Sequence, residues 1–210
     1  MFDEIESFSS PKGRLYKTPF GDFPSITTIL SVKKDSSLDD WKKAVGEEEA
    51  KRVSDEATNR GTIVHKLFED YLNGKKINLL NPVLKHHFIQ CEEVLDTFSV
   101  VYGNEIPLYS KSLKVAGRCD CVVEINGEVY IVDIKTSKHF KNPDQIDSYR
   151  MQCCAYAYML QELYGIKARK YLILISNLHE SECSTFFGDT KEYIKEFVEL
   201  RKEWKSLNGF

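Results

Sequence analysis

Two acids and a lysine lie in neighbouring strand-like runs, Gly117-Arg118-Cys119-Asp120 and Val132-Asp133-Ile134-Lys135, joined by Ile125-Asn126-Gly127-Glu128. Asn-Gly between apolar, β-branched runs signals a two-residue hairpin, because a type I′ turn needs positive φ at both central residues. With Ile125 opposite Glu128, counting back sets Asp120 opposite Asp133 and Arg118 opposite Lys135. All four then share one face, since strand side chains alternate. The expected Asp120:Asp133 pair is of the non-hydrogen-bonded kind, whose Cα atoms approach to about 4.5 Å. Two carboxylates some 5 Å apart repel by roughly 3 kcal/mol at an effective dielectric near 20, so a cation between them would explain keeping both. Hard oxygen ligands beside an ammonium suit Mg2+ or Mn2+, with Lys135 free to position a water or steady charge on a phosphate. The reverse face, Cys119, Cys121, Val123, Ile125, Tyr130, Val132 and Ile134, reads as core. An edge hairpin with its charged face in water is the plain alternative, and a bulge in either strand would shift the register.

Three further residues could complete such a site. His65 stands one helical turn before Glu69, so an imidazole and a carboxylate share a helix face; added to two opposed aspartates, the imidazole makes a plausible third ligand. Gln152 and Tyr156 are four apart on a later helix, on the side that carries Tyr149 one turn earlier, and could hydrogen-bond a phosphate or orient the lysine. Met151, Cys154, Ala155 and Tyr158 form the expected buried side of that helix.

The elements that must position these residues alternate between helices and a sheet. Residues 1 to about 30 mix Ser, Pro, Gly and aromatics and read as an arm of turns. Ser37-Leu38-Asp39-Asp40 is a capping-box-like start for a helix to Val45, and Gly46 separates it from an acidic helix running from Glu47 to about Asn59. Arg60-Gly61-Thr62 is expected to restart the chain before a second helical segment from Ile63 to Leu72, with Val64, Leu67, Phe68 and Tyr71 inward. A helix opened by Pro82 is expected to reach about Tyr102, followed by strands at 106–110, 115–125 and 128–136. A basic loop from Lys138 to Asp144 leads to a helix from Gln145 to Tyr164, strands at 170–176 and 184–187, and a last helix begun at Asp189 or Thr190. Its apolar positions, Tyr193, Phe197, Leu200, Trp204 and Leu207, fall at helical spacing. The expected class is α/β (α+β), with a mixed sheet of four or five strands flanked by helices. It forms one structural domain in which residues 1–60 are an N-terminal arm and helical region packed on a core of residues 61–210.

At 210 residues, with 42% hydrophobic and 29% charged residues, the chain is long enough for one full core. A net charge of −3 gives no global attraction for nucleic acid, so phosphate binding must be local, from Arg118, Lys135, Lys138, His139, Lys141 and Arg150. Nothing approaches the roughly 18–20 apolar residues that span a bilayer, and the acidic start Met1-Phe2-Asp3-Glu4 is unlike a secretory signal. The expectation is a monomer without a membrane partner, in the cytoplasm of a bacterium or phage-infected host, with the mitochondrial matrix left open. Six cysteines without a Cys-x-x-Cys spacing read as reduced, mostly buried thiols, and give little support for a cysteine zinc site.

Taken in order, Gly-Thr-x-x-His on a helix, Gly-Arg-x-Asp on a strand, Val-Asp-Ile-Lys-Thr-Ser on the next and Gln-x-x-x-Tyr on a helix, the chain resembles the RecB-like branch of the PD-(D/E)XK nuclease superfamily. It is similar in particular to phage exonucleases related to the mitochondrial genome maintenance exonuclease, for which Pro24-Ser25-Ile26-Thr27-Thr28-Ile29-Leu30 and Trp41 to Ala50 also look typical. The likeness spans roughly residues 20–176 and implies a restriction-endonuclease-like core. It implies that His65, Asp120, Asp133 and the carbonyl of Ile134 hold Mg2+ or Mn2+ and that Lys135 positions the attacking water. Gln152 and Tyr156 would contact DNA backbone or the lysine, and Arg118, Thr136, Ser137 and Tyr149 complete the expected substrate-contacting set. The first acid of the Asp-x-Lys pair, often Glu in the family, is here the shorter Asp133. Only Cys183 follows the Gln-x-x-x-Tyr helix, so no iron–sulfur cluster is expected. The implied activity is a metal-dependent exonuclease that takes single-stranded DNA ends and leaves 5′-phosphate products. A structure-selective endonuclease shares every catalytic residue, and a DNA-end-binding module without turnover would keep the fold.

Overall fold

The computed structural model describes residues 2–33 and 36–209 and, of residues 36–39, the backbone only. Asn126 and Gly127 take φ of 51° and 80°, as a type I′ turn demands, and close a hairpin between Val115–Ile125 (β5) and Glu128–Ser137 (β6). The register follows expectation from Ile125:Glu128 to Cys121:Val132. There the ladder ends, one step short of Asp120 and Asp133, so the expected backbone pairs Asp120:Asp133 and Arg118:Lys135 do not form. The cause is a side chain: Asp120 Oδ2 accepts the Ile134 N–H at 2.7 Å, in place of the strand carbonyl that would extend the ladder. Cys119, expected on the face of Cys121, joins the opposite core, because strand alternation breaks at this point.

β5 continues in antiparallel register with Val100–Ser110 (β4). The helix before it covers only Pro82–Leu95 (α4), shorter than the expected run to Tyr102. Thr97 Oγ1 donates back to the Val94 carbonyl, and Val100, Val101 and Tyr102 are strand formers. Asp147–Tyr164 (α5) carries the chain from β6 to Lys170–Asn177 (β7), parallel to β6, and Ser184–Asp189 (β8) closes a mixed five-stranded sheet in the order β4-β5-β6-β7-β8. On one face Ile106, Leu108, Val122, Ile131 and Ile173 pack against Ile26–Leu30 (α1), α5 and Ile194–Asn208 (α6). On the other, Cys121, Val123, Val132 and Leu172 pack against α4 and the second half of Glu47–Leu72 (α3). In α6, Phe197 and Trp204 are buried as expected, whereas Leu207 is exposed. Among the described residues no helix is long and apolar enough to cross a membrane.

The expected arm of turns is a second sheet, Ser7–Ser10 (β1), Gly13–Thr18 (β2) and Gly21–Pro24 (β3), antiparallel throughout. Its two turns, Ser10-Pro11-Lys12-Gly13 and Thr18-Pro19-Phe20-Gly21, use the same chemistry. In each, the first hydroxyl donates to the glycine carbonyl and accepts the N–H two residues on. The glycines sit at φ of 102° and 109°, so residues that read as loop punctuation are hairpin corners. Ile5, Tyr16 and Phe23 dock this sheet on Ala116 of β5.

The helix Ser36–Val45 (α2) begins a residue before the expected capping box, whose Ser37, Leu38 and Asp39 side chains lie outside the described residues. α3 then runs unbroken through Arg60-Gly61-Thr62, where a restart was expected, so the expected boundary at residue 60 falls inside one element. Thr58 and Thr62 return their hydroxyls to carbonyls one turn back, and an interior glycine disfavours a helix by only about 1 kcal/mol relative to alanine. Gly61 faces β6, and a Cβ there would meet Thr136 Oγ1 at 3.8 Å, an ordinary contact. At Gly188 the opposite holds: a Cβ would fall 2.2 Å from the hydroxyl of Tyr171, its buried cross-strand partner. Urea unfolding should therefore show Gly61→Ala more stable by about 0.4–1 kcal/mol, and Gly188→Ala less stable by about 1–3 kcal/mol.

Candidate metal centre

The ladder break opens the site. Asp120 turns one carboxylate oxygen to Ile134 N–H, which leaves its Oδ1 facing His65 Nδ1 of α3 at 3.8 Å. Asp133, 1% exposed, receives the Lys135 ammonium on Oδ1 at 2.5 Å, and the same ammonium lies 3.9 Å from Asp120 Oδ2. Lys135 also donates to the Ile134 carbonyl at 3.3 Å and stands 5.3 Å above the Tyr149 ring. The expected Asp120, Asp133, Lys135, Ile134 and His65 thus converge, through side chains rather than through a backbone pair.

Burial pushes the Asp133 carboxyl up to about 6; Lys135 opposes the shift and Asp120 adds to it. Burial works against the Lys135 ammonium, but Asp133 and Asp120 more than reverse that, and its pKa ends well above the usual value. At neutral pH Lys135 is therefore a fixed cation and hydrogen-bond donor, not a base. His65 is likewise raised: burial lowers it, and Asp120 and Glu105 outweigh burial.

Glu105 is the residue that the sequence reading missed. The β4–β5 ladder pairs Asn104 with Cys121 and Ile106 with Cys119, which sets Glu105 beside Asp120. Its φ is 51°, an uncommon conformation for a residue with a side chain, and its Oε1 lies 3.9 Å from His65 Nδ1. One donor atom each of His65, Glu105 and Asp120 lie within 4.8 Å of one another. Beginning the strand at Ile106, six residues after its start at Val100, hid the signal; running β4 back from its end at Ser110 would have found it.

These residues fit a divalent cation. Oxygen donors joined by one imidazole suit a hard ion, and Asp133 Oδ2 is buried with no hydrogen-bond partner among the described residues, an arrangement that costs free energy unless something pairs it. The set expected from sequence, His65, Asp120, Asp133 and the Ile134 carbonyl, overlaps the geometric cluster in His65 and Asp120. Glu105 joins that cluster, while Asp133 gives its Oδ1 to Lys135 and keeps its Oδ2 free.

A cavity of about 850 Å3 opens from this cluster, and His65, Arg118, Asp120, Gln152 and Tyr156 of the expected set line it. Gln152 and Tyr156 are both buried, and the Tyr156 ring lies over Gly117, where a Cβ would come within 2.9 Å of it. The glycine of Gly-Arg-x-Asp therefore makes room for the tyrosine of Gln-x-x-x-Tyr. Tyr158, expected on the buried side of α5, is 40% exposed and bonds Ser112 instead. Arg118 donates to the Glu105 carbonyl at 2.8 Å and to Glu4 at 2.9 Å, bracing the unusual backbone at Glu105. Asp133, Lys135, Thr136, Ser137 and Tyr149 stand outside the lining; Thr136 and Ser137 pair with Ser176 and Asn177 of β7. The basic cluster expected around the hairpin is dispersed, with Arg150 tied to Asp147 and His139 to Glu180.

No curated protein matches the chain. Among solved structures, the crystal structure of SSO0001 superposes with a TM-score of 0.51 at 16% sequence identity, covering 88% of this chain and 75% of that one. At that identity the likeness speaks for the fold alone. The family model of the PD-(D/E)XK nuclease superfamily matches residues 84–207, a stretch that holds the β5–β6 hairpin, the Asp-x-Lys pair and the Gln-x-x-x-Tyr helix. With more than half of its length so matched, the chain belongs to the PD-(D/E)XK nuclease superfamily.

Proposed function

We propose that this protein is an exonuclease of the RecB-like branch that hydrolyses phosphodiester bonds from the ends of single-stranded DNA and leaves 5′-phosphate products. Membership of the superfamily implies metal-dependent nuclease activity on DNA. The end and strand preference rest on the resemblance of the four ordered motifs to phage exonucleases. One observation carries the catalytic reading: an orphaned, buried carboxylate oxygen on Asp133 beside a second acid and an ammonium fixed between them.

His65, Asp120 and Asp133, with the Ile134 carbonyl and Glu105 at hand, would hold Mg2+ or Mn2+. The ion would supply a Lewis acid that lowers the pKa of a water and offsets phosphate charge. Lys135 keeps its proton and donates, orienting the nucleophilic water or neutralising a non-bridging phosphate oxygen. The Tyr149 ring, 5.3 Å from the ammonium, limits the directions it can take. Gln152 and Tyr156, fixed on α5, offer an amide and a phenol to the strand at the cavity floor. The bond that breaks joins phosphorus to the leaving 3′ oxygen, so the phosphate stays on the 5′ side of the released product.

With end-labelled DNA and Mg2+ or Mn2+, the protein should degrade linear single strands and spare circular ones, and EDTA should stop it. Cutting of circles would replace the exonuclease with an endonuclease, and binding without cutting in either metal would remove the enzyme reading. Lys135→Ala, which removes one charged donor, should lower kcat by about 10²–10³-fold while keeping metal-induced stabilisation. Asp133→Asn should lose that stabilisation, which in the unaltered protein reaches about 2.7 kcal/mol at a hundredfold excess over Kd, read as a thermal shift with and without Mn2+. Because Asp133 must lose its proton to bind a cation, metal affinity should fall about tenfold per pH unit below about 6. Calorimetric Mn2+ titrations between pH 5 and 7.5 would measure this; a flat profile would show that Asp133 is not a ligand.

A further inference from the structure

The cavity wall that faces the acids is built by the N-terminal sheet: Ser9 of β1 and Arg14 and Tyr16 of β2 line it. The sheet is fixed in place by the apolar docking on Ala116 and by a bridge between Ser25 and Ala116. The cations around the cavity are unequal. Lys66 is held by Glu69 and Asp70, and Arg118 by Glu4 and the Glu105 carbonyl. Among the described residues Arg14 makes no side-chain hydrogen bond or ion pair; only its carbonyl is engaged, accepting from Ser25 N–H and the Thr28 hydroxyl. A guanidinium left without a carboxylate, in a cavity whose other side carries three acids, presents a planar fork of donors that matches a phosphate. Ser9, the cross-strand partner of Arg14, shares its face of the sheet and lines the cavity, whereas the Phe8 ring lies on the reverse face, 5.8 Å from the Lys17 ammonium. At about 850 Å3 the space is of small-ligand size, room for a short stretch of one strand.

We infer that the N-terminal sheet is the strand-holding wall of the site, with Arg14 a phosphate anchor for single-stranded DNA crossing the cavity. This rests on the nuclease reading for the identity of the ligand, but its test does not need turnover. Fluorescence anisotropy of a labelled oligothymidylate, titrated in EDTA at 50–200 mM NaCl, reads binding alone. Arg14→Gln should weaken binding about tenfold and flatten the plot of log K against log salt by about 0.7, one phosphate contact on a single strand. Arg14→Lys should keep the slope, and Lys202→Gln on α6, remote from the cavity, should match the unaltered protein; circular dichroism confirms that each variant is folded. A wild-type Kd and slope for Arg14→Gln would overturn the inference, as would duplex DNA binding as tightly as the single strand. If the unaltered protein cleaves and Arg14→Gln binds normally, this inference falls and the nuclease reading stands. If nothing is cleaved yet Arg14→Gln loses binding, the nuclease reading falls and this one stands.

Discussion

A single hydrogen bond, from the Ile134 N–H to the Asp120 carboxylate at 2.7 Å, divides scaffold from site. Up to Cys121:Val132 the central hairpin is an ordinary ladder whose backbone groups satisfy one another. One step further a side chain takes the place of a carbonyl, and the strands are released from each other without leaving a buried donor unpaired. Everything functional collects in that opening: the free oxygen of Asp120, the Asp133–Lys135 pair, and the flanking positions at which β4 and α3 deliver Glu105 and His65.

The electrostatics explain why this arrangement stands inside an otherwise apolar fold. Burying a carboxylate such as Asp133 is unfavourable, and Lys135 offsets only part of it, leaving one oxygen unsatisfied. Natural proteins retain such local conflicts chiefly at functional sites. The surroundings are built to hold the conflict in place: β6 lies between two neighbours, α5 closes over it, and Tyr156 fits only because residue 117 lacks a side chain.

Much of this was legible in the sequence where the signal is local. The Asn-Gly turn, β5 and β6 and the α5 helix follow from short-range pattern, whereas Asp120, Asp133, Lys135 and His65 were named by register and by ordered motifs and meet through side chains, not through the expected backbone pairs. What was missed depends on long-range or side-chain effects. The break at Asp120 is a side chain competing for a backbone donor, which period-two counting does not register. Glu105 was lost because the start of β4 was misjudged by six residues, from Ile106 to Val100. The N-terminal sheet was read as turns because its Pro and Gly residues mark hairpin corners and open loops alike. Gly61 was read as a stop although packing against β6 carries the helix through it.

The unbroken α3 has a mechanical meaning. From Glu47 to His65 it rises about 27 Å at the usual 1.5 Å per residue, and of the residues before Val64 only Ala50 is buried. The helix is therefore a cantilever: its second half, anchored by Val64, Leu67 and Phe68, is clamped in the core, and its first half is mostly exposed, with only Ala50 buried. His65 sits at the clamp. A rod fixed at one end converts a sideways load on its free end into torque at the support, so the imidazole occupies the point where a force on the solvent half would be concentrated.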